Sequence, residues 1–255
     1  MSNKIIGIMG AMPEEITSIV ELMTDVSETS TGMRTYYSGK IGGIDTVVVF
    51  SRWGKVAASA TVSTLIHKFH ITELIFIGVA GAIDERLSVG DVVLASRLIQ
   101  HDVDARPLMP RYEIPLLSKT YFEPDEANAN LAAAAISQML EQKTLHNFFT
   151  NDVLSQFNIS TPQLFIGDIA SGDQFFASNQ QKQLLHDALP EVLCIEMEGA
   201  AVAQVCYEYN IPFVVIRTIS DTADDQAHID FPLFIKTISS KYAAFVIEHI
   251  FRHVQ

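Results

Sequence analysis

Ile195-Glu196-Met197-Glu198-Gly199 sets two carboxylates two residues apart, where the apolar run Leu193-Cys194 gives way to the helix-like pattern through Ala203 and Cys206. Only one of the two is expected to look into a pocket, because a buried negative charge is costly without a use. The use that fits is stabilising a developing positive charge, as in cleavage of a glycosidic bond. Two further acids occupy comparable places. The run Ile5 to Met12 leads straight into Pro13-Glu14-Glu15, and Phe213 to Arg217 continues through Ser220 to Asp221. Ligands of open α/β folds gather at the carboxyl ends of strands, so the three acids are expected to meet in one crevice. Each alone has a plainer reading. Pro13 followed by acids suits the first turn of a helix, and Asp221, ahead of Thr222-Ala223-Asp224-Asp225, would also cap a turn.

The elements that must position these acids alternate between apolar strands and helical patterns, which predicts α/β architecture. Further strands are expected at Leu74 to Val79, Thr46 to Phe50, Asp91 to Leu98 and Gln163 to Ile169. Helices are expected at Glu14 to Met23, Lys55 to Phe69, Glu126 to Gln142, Gly199 to Tyr209 and Phe231 to His253. The last carries an apolar stripe from Phe234 to Ile250 that suits packing on a sheet. No repeat, low-complexity tract or linker divides the chain, so residues 1–255 are read as one domain. His67-x-x-His70 and the pair His249, His253 have helical ligand spacing, but solvated helix faces carry such spacings more often than metals do. Gly39-Lys40 and Gly54-Lys55 lack the rest of a phosphate loop.

The 255 residues carry a net charge of −13 and are 48% hydrophobic, enough for a large core. An acidic chain without a basic patch argues against nucleic acid as partner. The two cysteines, Cys194 and Cys206, lie in apolar contexts, as expected of a reduced, cytoplasmic chain. The N-terminus reads as a buried strand and not a signal peptide, and no run reaches the roughly 20 apolar residues of a membrane span.

Six ordered motifs carry a family resemblance: Gly10-Ala11-Met12-x-Glu14-Glu15, Gly54-Lys55-Val56-Ala57, Gly78-Val79-Ala80-Gly81, Ser171-Gly172-Asp173-Gln174-Phe175, Glu196-Met197-Glu198 and Ser220-Asp221. With them the chain resembles, over nearly its whole length, the bacterial 5′-methylthioadenosine/S-adenosylhomocysteine nucleosidases of the nucleoside phosphorylase superfamily. The resemblance implies a three-layer fold, a central mixed, twisted sheet flanked by helices, acting as a homodimer. It implies Glu15 as the carboxylate that activates water, Glu198 as the acid holding the ribose hydroxyls with Met197 and Glu196 beside it, and Asp221 as the acid that protonates N7 of the leaving adenine, oriented by Ser220. Phe175 falls on the ring that stacks on adenine and Phe176 on its backbone hydrogen-bonding neighbour. Val79 and Ala80 fall within the binding site, and Arg217 and Phe231 on its water and ribose sides. The substrate would be a small adenine nucleoside, cleaved without metal or other cofactor.

Bond chemistry agrees with these roles. Adenine leaves readily only when protonated, so a general acid is needed near the purine, and its pKa must be raised by burial or a hydrogen bond. A carboxylate on the ribose face stabilises oxocarbenium character, and another takes a proton from water. Phosphorylases of the superfamily are expected to carry Arg and Ser or Thr where this chain has Phe76 and Val79, and a cation where it has Glu15. Hydrolysis is therefore favoured, with Arg34 and Arg52 unplaced and able to restore anion binding. Alternatives are a 6-amino-6-deoxyfutalosine hydrolase, a phosphate-dependent phosphorylase and a non-catalytic nucleoside-binding relative. Residues 144–162 form a longer insertion than the family's, read as an added surface helix over a pocket cover. The proline-rich 106–115 segment is expected to shape substrate choice and dimerisation, as is the apolar content of Lys55 to Phe69.

Overall fold

The β-branched and aliphatic runs of the sequence become the strands of one mixed sheet, on which the helices lay their apolar faces. The computed structural model describes residues 4–141 and 149–254. Parallel pairing joins β1 (Ile5–Gly10) to β4 (Ile44–Phe50) and to β5 (Glu73–Ala82), and joins β5 to β10 (Phe213–Asp221). Strands β6 (Val92–Gln100), β8 (Leu164–Ser171) and β9 (Val192–Glu196) continue the sheet. β5 pairs with β10 along one edge and, through Gly81 and Ala82, with β9 at its far end. The strands β5, β10, β6, β8 and β9 thus close a ring, where the sequence had suggested an open sheet. The physical reason is β5 itself, whose ten residues hold β10 along one edge and are long enough for β1 and then β9 to share the other.

β10 is buried at every position, as a strand in the middle of two layers must be. Strands β2 (Thr24–Thr31) and β3 (Arg34–Ile41) extend the sheet beyond β4 as an antiparallel ribbon, and the short β7 (Tyr121–Phe122) borders β6. Helices α1 (Pro13–Glu21), α3 (Glu126–Glu141) and α8 (Ser240–Val254) cover one face, and α2 (Lys55–Phe69) and α6 (Gly199–Tyr209) the other. Gln142 and residues 144–148, included in the expected helix and insertion, lie outside the described residues. The rest of the insertion forms a short helix, α4 (Asn151–Gln156), whose Leu154 is buried with Phe149 and Ile159 in the core. Phe157 meets Phe234 edge-on at 5.6 Å, so the described part of the insertion braces the C-terminal helices and lines no part of the cleft described below.

The expected helix from Phe231 to His253 is divided. Helix α7 (Ala227–Phe234) contains Pro232, the turns at Ile235–Ser239 widen to π geometry, and only then does α8 begin. Proline removes a helical donor, and a π segment is one way the ladder absorbs a local misfit. Helix α5 (Asn179–Ala188) follows the loop after β8 and is capped by Ser178, whose hydroxyl accepts the Gln181 amide.

Candidate active site

Strand ends β1, β5, β9 and β10 and the loop after β8 open on one cleft of about 570 Å³, part of it open to solvent. Glu15 reaches it from the first turn of α1. Its Oε2 accepts the amides of Ala11 (2.5 Å) and Met12 (2.9 Å), and its Oε1 the amide of Val79 (3.1 Å). The bond to Met12 is half of a capping box, so the plain reading of this acid also holds. Burial pushes the Glu15 carboxyl above its ordinary range, against the pull of Arg217 and the three amides. Gly78 makes the approach possible, since a Cβ there would stand 2.7 Å from Glu15 Oε1.

β9 stops at Glu196, and the chain turns through Met197 before α6 begins. The turn parts the two carboxylates, which in a continued strand would share a face. Both line the cleft, where only one was expected to. Glu198 Oε1 accepts the Gly54 amide at 2.7 Å, and burial, then the charge of Glu196, raise its pKa. Glu196 is spent on the protein itself. It accepts the Ser171 hydroxyl, the amides of Glu198 (3.1 Å) and Gly199 (2.7 and 2.9 Å), and Arg217 Nη2 at 2.7 Å. These contacts cap α6 and hold the turn that aims Glu198, while Glu196 keeps its place in the cleft lining beside Met197 and Glu198, where the resemblance put it.

Arg217 differs from expectation as well. It does not line the cleft but lies buried behind it, opposite Gly78 on the neighbouring strand. Its guanidinium sits 4.1 Å from the centre of the Phe76 ring and donates to the carbonyls of Phe76 and Ile216 besides Glu196. A mid-strand side chain on that face points into the interior, so Arg217 acts on the cleft through its ion pair with Glu196 and its field on Glu15 and Glu198.

Asp221 closes β10 at the other end of the cleft. Its Oδ2 accepts the Ser220 hydroxyl at 2.8 Å and its Oδ1 the Ala223 amide at 2.9 Å. Burial raises its pKa against these two bonds, with Asp230 and Asp224 adding to the rise. The Ser220 oxygen also lies 3.4 Å from the Ala80 carbonyl, so the hydroxyl can turn there when Asp221 carries the proton. Gly81 gives this acid its room, as a Cβ there would stand 2.8 Å from Oδ1.

Val79, Ala80, Met197, Phe175, Phe176 and Phe231 line the cleft as expected. Phe175 meets Phe231 edge-on at 5.4 Å, and Phe231 meets Trp53 at 6.2 Å, so an aromatic row runs along the mouth. Trp53 was not anticipated. It follows the β4 end, whose pairing with β1 continues through Ser51 N to Gly10 O (2.8 Å) and Arg52 N to Ala11 O (3.0 Å). The signal in the sequence was a large aromatic placed between a strand end and the helix-opening Gly54-Lys55. Residues 106–115 line no part of the cleft.

The sequence profile of the phosphorylase superfamily matches residues 5–252. The chain belongs to the phosphorylase superfamily. A 5′-methylthioadenosine/S-adenosylhomocysteine nucleosidase of Staphylococcus epidermidis is 35% identical over 90% of this chain and 92% of its own length. The corresponding nucleosidase of S. pneumoniae, solved with the transition-state inhibitor MT-ImmA, superposes with a TM-score of 0.85 at 33% identity, covering 98% of this chain and 100% of that one. The futalosine hydrolase of Helicobacter pylori matches at a TM-score of 0.80 and 33% identity over 97% of each chain. As a superfamily member the chain has the mixed sheet flanked by helices that its motifs implied.

Proposed function

We propose that this protein hydrolyses the N-glycosidic bond of 5′-methylthioadenosine and S-adenosylhomocysteine, releasing adenine and the 5-thioribose product. The observation that carries this reading is the charge of the cleft. Glu15, Glu196, Glu198 and Asp221 face it, and no Lys or Arg lines it among the described residues. With Asp221 protonated and Glu196 paired to Arg217, a phosphate nucleophile would still meet the acids Glu15 and Glu198 with no cation beside them, at a like-charge cost on the order of several kcal/mol where they are ionised. The two unplaced arginines are engaged elsewhere. Arg34 donates to the carbonyls of Ser51, Ala57 and Gly32, and Arg52 to that of Met33.

In this reading Asp221 holds a proton because burial favours its neutral form, and it delivers that proton to N7 as the C1′–N9 electron pair passes into the purine. Glu198, at the mouth of α6, holds the ribose hydroxyls, and the negative cleft stabilises the oxocarbenium charge. Glu15 takes the proton of the attacking water, its raised pKa making it a better base. Phe175 covers the purine, and Phe231 with Trp53 continues the apolar wall toward the 5′ substituent.

The named relatives support the nucleosidase reading, and the Helicobacter pylori hydrolase supports 6-amino-6-deoxyfutalosine as the second substrate to try. Trp53, 57% exposed at the cleft mouth, would suit that bulkier 5′ group. A homodimer is part of the proposal. Large apolar side chains stand exposed on the two segments assigned to it, Val56 on α2 and Leu108 on the proline-rich segment. A cytoplasmic setting is proposed as well, and fits the free, buried Cys194 and Cys206. Among the described residues no helix is long and apolar enough to cross a membrane.

The test is adenine release from methylthioadenosine with and without phosphate. Release in phosphate-free buffer, unchanged by phosphate, is expected; strict dependence on phosphate overturns the reading. Asp221→Asn should lower kcat by about 10²–10⁴-fold while nucleoside binding largely persists. Unchanged turnover would remove the proton-donor role.

A further inference from the structure

Lys55 and Asp102 line no part of the cleft, yet they tie together the two loops that do. Lys55 Nζ lies 2.6 Å from Asp102 Oδ1. Asp102 Oδ2 accepts the Asp173 amide at 2.9 Å, and the Asp173 carboxylate accepts the Lys55 amide at 2.8 Å. The three bonds close a ring. In it Asp173 supplies, from a distant loop, the carboxylate that the N-terminus of α2 favours. Both side chains of the ion pair are less than a quarter exposed, so the pair is screened less than one on the open surface.

On one side of the ring, Asp173 leads in two and three residues to Phe175 and Phe176. On the other, Lys55 adjoins Gly54, whose amide holds Glu198, and Trp53. The foot of the Phe175 loop is also tied by backbone bonds, His101 N to Ser171 O (3.0 Å) and Gly172 N to Glu196 O (3.2 Å), but among the described residues Asp102 is the side chain that bonds its Asp173 amide. His101, buried under it and edge-on to Phe176 at 5.4 Å, leaves Nε2 without a hydrogen-bond partner, and a Cβ at Gly172 would overlap that atom. The His101 side chain supports the loop by packing, and that of Asp102 by hydrogen bonding.

We propose that Lys55 and Asp102 are positioning residues, which hold the Phe175–Phe176 loop against the Gly54 turn and so fix the purine face relative to Glu198. The proposal rests on the nucleosidase reading only for what is being positioned. The variants are Lys55→Met, Asp102→Ala, the double variant and the conservative Lys55→Arg. Two readouts serve: kcat and KM for methylthioadenosine, and acrylamide quenching of Trp53, the chain's single tryptophan, in the ligand-free protein.

Each single variant is expected to lower kcat/KM by up to about a hundredfold, mostly through KM. The double variant should be no worse than the poorer single one, because both remove the same ring. Trp53 quenching should rise in Lys55→Met and Asp102→Ala, and Lys55→Arg should restore both readouts. A fall in thermal midpoint alone, with kcat/KM within about twofold of the parent, would overturn the proposal, as would independent, additive losses in the double variant. If the parent releases no adenine from any nucleoside, the nucleosidase reading fails by itself. The quenching series then decides the clasp, and unchanged quenching would sink it.

Discussion

Glu15 is at once the third residue of a helix and the acid facing the cleft, and of the three amides that hold its carboxylate the one of Met12 also caps the helix. The competition between burial and those bonds gives a pH dependence with a definite sign. Glu15, Glu198 and Asp221 all have raised pKa values, with burial the first cause in each. Over the window from the ordinary carboxylate range up to those raised values, the native state binds more protons than the unfolded one. Stability contributed by these groups is therefore fully present below the unfolded pKa and is lost as pH rises. Asp84, Asp102, Asp104 and Asp224 are shifted the other way, so what they contribute is lost only on going more acidic. Thermal unfolding of the parent and of Asp221→Asn between about pH 5 and 8 checks this. The variant should gain on the parent as pH rises; a gap that does not change with pH would remove Asp221 from the account. Catalysis should follow the same sign on its alkaline side, with kcat/KM falling as Asp221 loses its proton.

β5 is the element on which the cleft depends. Its glycines at 78 and 81 stand three apart, one giving room to Glu15 and the other to Asp221. Gly78→Ala and Gly81→Ala should each fold, because neither needs a left-handed backbone, yet each should displace a different acid. Kinetics separate them, since Gly81→Ala should mimic Asp221→Asn in kcat, while Gly78→Ala should impair the step assigned to Glu15. Wild-type turnover in either would refute the crowding argument. Much at this scale was legible in the chain. Lys55–Phe69 and Gly199–Tyr209 form helices with the bounds read from apolar spacing, and β10 runs from Phe213 to Asp221. The ribbon β2–β3 was not, because Thr24–Thr31 is largely exposed and polar and offers no alternation to detect. Ring closure was illegible for another reason: a strand that exchanges one partner for another partway along an edge leaves no local mark. Among the site residues, Glu15, Glu198 and Asp221 could be read as acids at strand ends. The inward turn of Arg217 and the saturation of Glu196 follow from register and from the early end of β9, which only the assembled sheet fixes.

At the scale of the molecule, the cleft mouth and the exposed apolar residues belong to one question. Val56 is 82% exposed, Leu108 87% and Leu116 97%, an unusual degree of exposure for side chains of this size and kind. Leu116 has a left-handed backbone and lies within the turn closed by the Ile114–Lys119 bridge, so the segment is held in shape without covering its own apolar residues. A second copy of the chain would cover them, and specific interfaces are built around such anchors. Sedimentation of the purified protein should give a dimer that Val56→Asp and Leu116→Asp dissociate, since a buried unpaired charge costs several kcal/mol. Neither residue lines the cleft. Any accompanying loss of adenine release on dissociation would then trace to the neighbouring copy and not to the residues replaced. A monomeric parent, or a dimer indifferent to both charges, would assign those side chains elsewhere and leave each cleft complete in a single chain.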